Sequence, residues 1–331
     1  MGNKNEIESR ALVEEIRYEN TDSFLTDLSY GGRLYSLLNK GFVFRGISSE
    51  EYQLLPSALR KDYHFPQKLD LSYNKQIDLE YNQIDREYRI LKKFFDYCDI
   101  NNLYVPIIGR IRNSLFSIFN IEADVKEEWI SPDLYELAAL AQHYGLPTRL
   151  LDWSYSLLTA LYFAVSGRMW KDNNTYKSDN IVLWAFDTNM IGLFNPQVFP
   201  LKVIRPTYNG NPNLAAQKGL FTLWSTTRPI KSVSPKYIET DVFTNREPLD
   251  SLLSKFIHEQ GEEGVTMSHL LHMYKIVIPT TNIVGLYNHL KKNGVDASSL
   301  FPGYQGVVRC MQEDFIISTR FHDSLSKGKE E

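Results

Sequence analysis

The chain has 331 residues, enough for one large domain or two smaller ones. With 43% hydrophobic and 13% aromatic residues it has the composition of a globular protein with a sizeable core, which excludes a disordered chain. A net charge of −4 gives no overall attraction to nucleic acid or to an anionic membrane and leaves room only for a local basic groove.

Residues 1–20 are charged and weakly periodic and are expected to form a flexible leader. From Thr21, apolar residues recur at helical spacing (Phe24, Leu25, Leu28, Leu34, Leu37, Leu38), interrupted at Gly31-Gly32. The run 41–46 (Gly-Phe-Val-Phe-Arg-Gly) predicts a strand, with Phe42 and Phe44 on one face and Val43 and Arg45 on the other. Gly46 permits another backbone or a ligand to approach closely. An arginine at the end of a buried strand needs a partner. It is either a structural ion pair or a clamp for phosphate or carboxylate. Residues 54–60 read as a turn, 77–98 as a helix with a solvated charged face, and 103–121 as a possible helix after Pro106.

Ser131-Pro132-Asp133 opens a helix reaching about Tyr144. It leads into Gln142-His143-Tyr144-Gly145-Leu146-Pro147-Thr148-Arg149-Leu150-Leu151-Asp152-Trp153-Ser154, read as a shaped bend because Gly145 and Pro147 punctuate it. Residues 155–165 read as a buried helix capped by Ser154. Strands are expected at 181–186, 201–205 and 274–278, and helices at 249–259 and 281–292. A turn-rich segment is expected to about Thr244, a turn at 298–306, and a disordered tail over 324–331. No internal repeat or low-complexity linker divides the chain. The expected organisation is one α+β domain with a mixed sheet over 21–323, a helical N-terminal portion and a helical insert at about 60–140.

Several common catalytic motifs are absent: no phosphate loop, no dinucleotide fingerprint and no nucleophile elbow. His269 and His272 are three apart but lack the companions of a zinc pattern, so no metal is expected. Cys98 and Cys310 are the only cysteines and are read as reduced thiols. The first residues lack an apolar signal core, Glu6 stands where a myristoylation signal has Ser or Thr, and no apolar run approaches about 18 residues. A cytoplasmic protein without membrane contact is expected.

Phe44-Arg45-Gly46, the Gln142-to-Ser154 stretch, Ala160-Leu161-Tyr162-Phe163-Ala164, Ala216-Gln217-Lys218-Gly219-Leu220-Phe221-Thr222 and the Leu300-Phe301-Pro302 turn together resemble the FRG domain, a family named for its Phe-Arg-Gly motif. They cover roughly residues 20–310 in the family's order. The layout is also similar to R-S-E-type ADP-ribosyltransferases, which implies an ADP-ribosyltransferase-like core with NAD as substrate. Carried over, Arg45 would clamp the pyrophosphate, Ser154 or Thr148 would shape the nicotinamide side, and Gln217 would fall near the late catalytic position. The catalytic set so implied is Arg45, His143 and Gln217; the NAD-binding set is Arg45, Gly46, Thr148, Asp152 and Ser154.

The chemistry tests this set. Cleaving the nicotinamide–ribose bond develops oxocarbenium character that a carboxylate stabilises. Gln217 cannot supply that charge, whereas Asp152 can if the fold turns it into the pocket. The other reading of Gln217 is a strand-end side chain satisfying backbone groups. His143 is a neutral donor to ribose, a general base, or a helix C-terminal histidine. Arg149 and Asp152 are expected to pair and brace the bend. Trp153, Tyr162 and Phe163 are expected in the core. The implied function is an NAD-dependent ADP-ribosyltransferase-like enzyme, a bacterial toxin or anti-phage defence effector acting on protein or nucleic acid, with a neutralising antitoxin as possible partner. The alternative is a non-catalytic module sensing a nucleotide or partner within a defence or mobile-element system.

Overall fold

A computed structural model describes residues 11–37, 41–60, 79–106, 109–113, 128–171, 176–226 and 243–327. Its centre is one mixed sheet. In chain order the strands are β1 (Val13–Arg17), β2 (Phe42–Ile47), β3 (Leu151–Ser154), β4 (Asn180–Asp187), β5 (Leu201–Ile204), β6 (Gly219–Trp224) and β7 (Met273–Pro279). They lie side by side as β1-β7-β4-β2-β3-β6-β5. Of these neighbours, only the β1–β7 pair is parallel.

β1 corrects the expected leader: Val13 to Arg17 form an edge strand, whereas residues 1–10 lie outside the described residues. Charged side chains hold it there. Glu15 accepts from Lys275 of β7 at 3.0 Å and Arg17 at 2.8 Å, and Arg17 also bonds Glu50. The β2 alternation is as expected. Phe42 and Phe44 join one apolar cluster, and Val43 and Ile47 join the cluster on the other face.

Over the first face lie α1 (Thr21–Leu28, followed by the short α2, Arg33–Leu37), α6 (Leu157–Met169), α10 (Ile283–Lys292) and α12 (Tyr304–Lys327); α1, α6, α10 and α12 bury Phe24, Leu161, Leu286 and Ile317 against β2, β4 and β7. Farther along that face, Glu80–Ile100 (α3) and Tyr135–His143 (α5) pack on Ile204, Phe221 and Leu223 of the β5–β6 half. The opposite face is covered by Leu249–Glu259 (α8), through Leu249, Leu253 and Ile257. Each such fully buried side chain contributes about 2 kcal/mol of transfer free energy.

Four further boundaries differ from expectation. α6 begins at Leu157 and is capped by Ser156, whose side chain accepts from the Thr159 N–H, because Ser154 ends β3 instead. Residues Leu151 to Ser154 are therefore strand, not bend: β6 supplies a ladder partner to all four. The expected turn at 298–306 overlaps the short helix α11 (Ala297–Leu300), whose N-terminus is fixed by a capping box between Asp296 and Ser299. α12 runs on to Lys327, past the expected start of the tail. The helical insert is described only in part (α3; α4, Gly109–Asn113; and α5), since 61–78 and 114–127 lie outside the described residues. So does most of the expected turn-rich segment, 227–242.

Candidate functional site

The sheet is weakest between β2 and β3. β2 makes six registered pairs with β4 and β3 makes four with β6, but between them only Phe44 and Ser154 pair. The seam opens beyond that pair. By register, Ser154 shares a face with Phe44, and Asp152 shares that same face with Phe221. This is the face carrying α5 on one side and α6 on the other. A cavity of about 230 Å³ lies between them.

Arg45 occupies the seam. Alternation assigns it to the face opposite Phe44, yet its Nη1 donates to the Asp152 main-chain oxygen at 2.8 Å and to the Asp152 carboxylate at 2.6 Å. The guanidinium thus stands in for ladder bonds that β2 does not make to β3. Its Nε is buried without a hydrogen-bond partner among the described residues. Gly46 follows because α6 leaves no room: a Cβ there would sit 1.7 Å from the Ala160 carbonyl oxygen. Of the two expected close approaches, the one present is to the backbone of α6, although Gly46 also lines the cavity.

The expected Arg149–Asp152 brace does not exist. Arg149 instead turns away to two glutamates of α3, with Nη1 at 2.5 Å from Glu80 and Nε at 2.8 Å from Glu87, all three side chains buried. Asp152 pairs with Arg45 and also accepts from the Gln142 amide at 3.1 Å. Arg149, in the bend before β3, finds its partners 62 and 69 positions away, whereas Asp152, within β3, finds Arg45 107 positions away. The Asp152 side chain keeps 58% of its surface open to solvent; crowding in the cleft alone would push its carboxyl up, but the Arg45 charge and hydrogen bond outweigh that and hold the group below its usual range.

Four expected site residues, Arg45, His143, Ser154 and Gln217, line this one cavity, together with Gly46 and Asp152. His143 is the last residue of α5, half-buried; burial lowers its pKa, only partly opposed by Asp152, which favours the neutral ring. The Ser154 hydroxyl donates to the Gln217 carbonyl at 2.7 Å and accepts from the Ser156 N–H at 2.9 Å, tying the end of β3 to the loop before β6. Gln217 caps α7 (Pro212–Ala216), and its amide donates to the Leu300 carbonyl at 3.2 Å. That side chain does satisfy a backbone group; among the described residues its Oε1 has no partner. Thr148 does not line the cavity. It is buried, and its hydroxyl donates to the Gln142 amide oxygen while accepting from the Leu150 N–H at 3.1 Å. It therefore positions Gln142, which does line the cavity.

Sequence reasoning missed Gln142, Phe163 and Phe301 as wall residues. Phe163, expected in the core, is only partly buried, and its ring meets Phe301 edge-to-face at 6.1 Å across the cavity wall. Nothing in an apolar helix sequence marks such a residue. Among the described residues no cluster of three or more His, Cys, Asp or Glu side chains is placed to hold a metal ion. His269 lies in the last turn of α9 (Glu262–Leu270) and His272 lies beyond the helix, so helical spacing does not relate them. No helix of the described residues is long and apolar enough to cross a membrane.

The fold and site define an α+β protein whose mixed sheet is parted at one seam, with a polar, arginine-bearing cleft over that seam. The chain carries an FRG domain: the model of that family matches residues 40–173. No curated protein and no solved structure gives a significant match.

Proposed function

We propose that the cleft binds NAD and that the chain is an ADP-ribosyltransferase-like enzyme, with a protein or nucleic acid as acceptor. The observation that carries this reading is the convergence of Arg45, His143, Ser154 and Gln217 on one cavity at the seam. A volume of about 230 Å³ suits the nicotinamide–ribose end of a dinucleotide, with the rest crossing the open mouth. Phe163 and Phe301 offer apolar faces to a planar ring. Pyrophosphate would compete for the Arg45 guanidinium, whose fork suits phosphate. Asp152 would then be released beside His143 as the carboxylate that steadies oxocarbenium character at the ribose.

In the reaction, the bond from ribose C1′ to the nicotinamide nitrogen breaks and its electron pair leaves with nicotinamide. The acceptor's nucleophile bonds C1′, and neutral His143 takes the proton it sheds. One observation favours a second reading, a non-catalytic nucleotide-sensing module: Asp152 is engaged by both Arg45 and Gln142, and the late position holds Gln217 instead of an acid. A role as toxin or defence effector, with an antitoxin partner, rests on the FRG resemblance alone.

The test uses the full chain with labelled NAD, with and without cell lysate, scored for binding, nicotinamide release and label transfer. Release and transfer, lost in Arg45→Ala and reduced in Gln217→Ala, are expected for the enzyme. Binding that Arg45→Ala weakens at least about tenfold, without release, assigns the sensing module. Neither binding nor turnover at millimolar NAD overturns both.

A further inference from the structure

The outer face of α12 departs from what a surface helix ordinarily shows. Tyr304 is 92% and Phe315 70% exposed, and Val307, Val308 and Met311 between them are each about half exposed. The other exposed positions from Tyr304 to Thr319 are Gln305, Gln312, Ser318 and Thr319, so this face carries no charge. By contrast, α8 turns Lys255 and Glu259 to solvent. The charged residues of α12 over the same span are spent on the body of the protein. Arg309 pairs with Glu313 at 3.2 Å, and its guanidinium carbon lies 4.7 Å from the centre of the Phe301 ring. Glu313 is fully buried and accepts from Tyr162 at 2.8 Å and from Ser166 at 2.6 Å. Asp314 accepts from Lys291 at 2.6 Å and from Tyr287 at 3.1 Å. An apolar patch with two exposed rings, rimmed only by neutral polar groups, marks a contact surface.

Three properties of this face select a second copy of the same chain. The first is spacing. Tyr304, Val308, Met311 and Phe315 follow one another at intervals of four, three and four, the alternation of a helix-pairing seam. That pattern reads the same from either end. A two-fold axis between Val308 and Met311 sets Tyr304 beside Phe315 of the second copy at both ends, and Val308 beside Met311 at the centre. The second is charge. Two copies of a face without ionised groups meet without like-charge repulsion, and among the described residues that face has no basic flank to seat it on an anionic membrane. The third is area. Two rings that each bury about 150–250 Å², with the residues between them, form a hydrophobic centre for an interface of about 800 Å² per copy. The chain's own remaining segments attach elsewhere. The stretches 61–78, 114–127 and 227–242, outside the described residues, are flanked on the β5–β6 half, where Leu79 bridges Phe243 and Trp129 bridges Thr226. α12 lies over β2, β4 and β7 instead.

We propose that α12 is a homodimerisation surface, on which two copies of this chain pair antiparallel about a two-fold axis between Val308 and Met311.

The test is sedimentation equilibrium of the full chain at micromolar concentration. A mass of twice 38.4 kDa is expected. Met311→Glu and Val308→Lys each place an unpaired charge in the seam and should raise the dissociation constant at least about a hundredfold. Both positions are half exposed in the single chain, so the thermal midpoint of the dilute, monomeric protein should not move. An equimolar mixture of the two variants should regain the dimer, because the new ammonium of one copy then faces the new carboxylate of the other. Leu193→Glu, at an exposed apolar residue after β4, should leave the dimer intact. A monomer throughout the micromolar range, a dimer that persists in Met311→Glu, loss in Leu193→Glu, or a mixture that stays monomeric overturns the proposal. A monomeric chain that binds vesicles of phosphatidylcholine and phosphatidylserine, and stops doing so in Met311→Glu, overturns it in favour of a membrane.

Discussion

Glu87 and His143 show what burial does to single ionisable groups. Glu87 gathers Arg149, Gln83 and Trp129 at a site closed to water. Glu87→Ala strands the Arg149 guanidinium with one remaining glutamate, and the expected loss is about 3–5 kcal/mol in a denaturant titration. A loss under about 1 kcal/mol would show that the cluster is hydrated. His143 acts through pH. Burial lowers its pKa below the ordinary 6.5, so between those two values the unfolded chain binds the extra proton and the folded chain does not. The stability this contributes is complete above the unfolded pKa and is lost as pH falls through that window. The thermal midpoint should therefore decline as pH falls below the ordinary 6.5, and His143→Gln should flatten the decline. Parallel profiles for the two proteins would rule out His143 as its source. Asp152 is also shifted downward, but from an ordinary 3.8, so its contribution is lost only in more acidic solution.

At the level of elements, the contact between β2 and α6 rests on Gly46. A methyl group there meets the Ala160 carbonyl oxygen at 1.7 Å and the Ala164 nitrogen at 2.9 Å, both main-chain atoms that cannot swing aside. Gly46→Ala should cost about 1–3 kcal/mol or more and displace Arg45 with the strand; the thermal midpoint and ligand binding at the cavity are expected to fall together. An unchanged midpoint would mean the helix shifts freely. Much of this architecture was legible in the sequence. β2, β4, β5 and α8 each carry their own pattern, a short apolar run or an amphipathic stripe, and need no knowledge of neighbours. β1 was not legible, because Val-Glu-Glu-Ile-Arg resembles a solvated leader until Lys275 and β7 are brought beside it. β3 was hidden for a similar reason: four residues after a Pro-containing turn become a strand only when β6, nearly seventy positions on, supplies the ladder. The cleft was legible through Arg45, His143, Ser154 and Gln217, whose polarity stands out in apolar surroundings. Phe163 and Phe301 were not, since an aromatic ring facing a cavity and one facing the core have the same sequence context.

The whole molecule sets a limit on what residues 40–173 can do alone. That stretch contains β2, β3 and α6, with the Phe-Arg-Gly motif and most of the polar cleft. Within it, β2 and β3 meet through a single registered pair. The ladders that hold them, six pairs from β4 and four from β6, come from residues 180–187 and 219–224, outside the matched region. The same is true of Leu214, Gln217, Phe221 and Phe301 in the cavity wall. A fragment of 40–173 would keep the weakest junction of the sheet and lose both strong ones. It would expose two unpaired strand edges and the apolar face of α6. The expected result is a fragment without a cooperative thermal transition that binds a hydrophobic dye, whereas residues 11–327 unfold in a sharp transition. Cooperative melting of the short fragment would show that the seam is held by something other than its flanking ladders. Because the seam is the place where the sheet parts around Arg45, that outcome would also remove the structural reason for an arginine at that position.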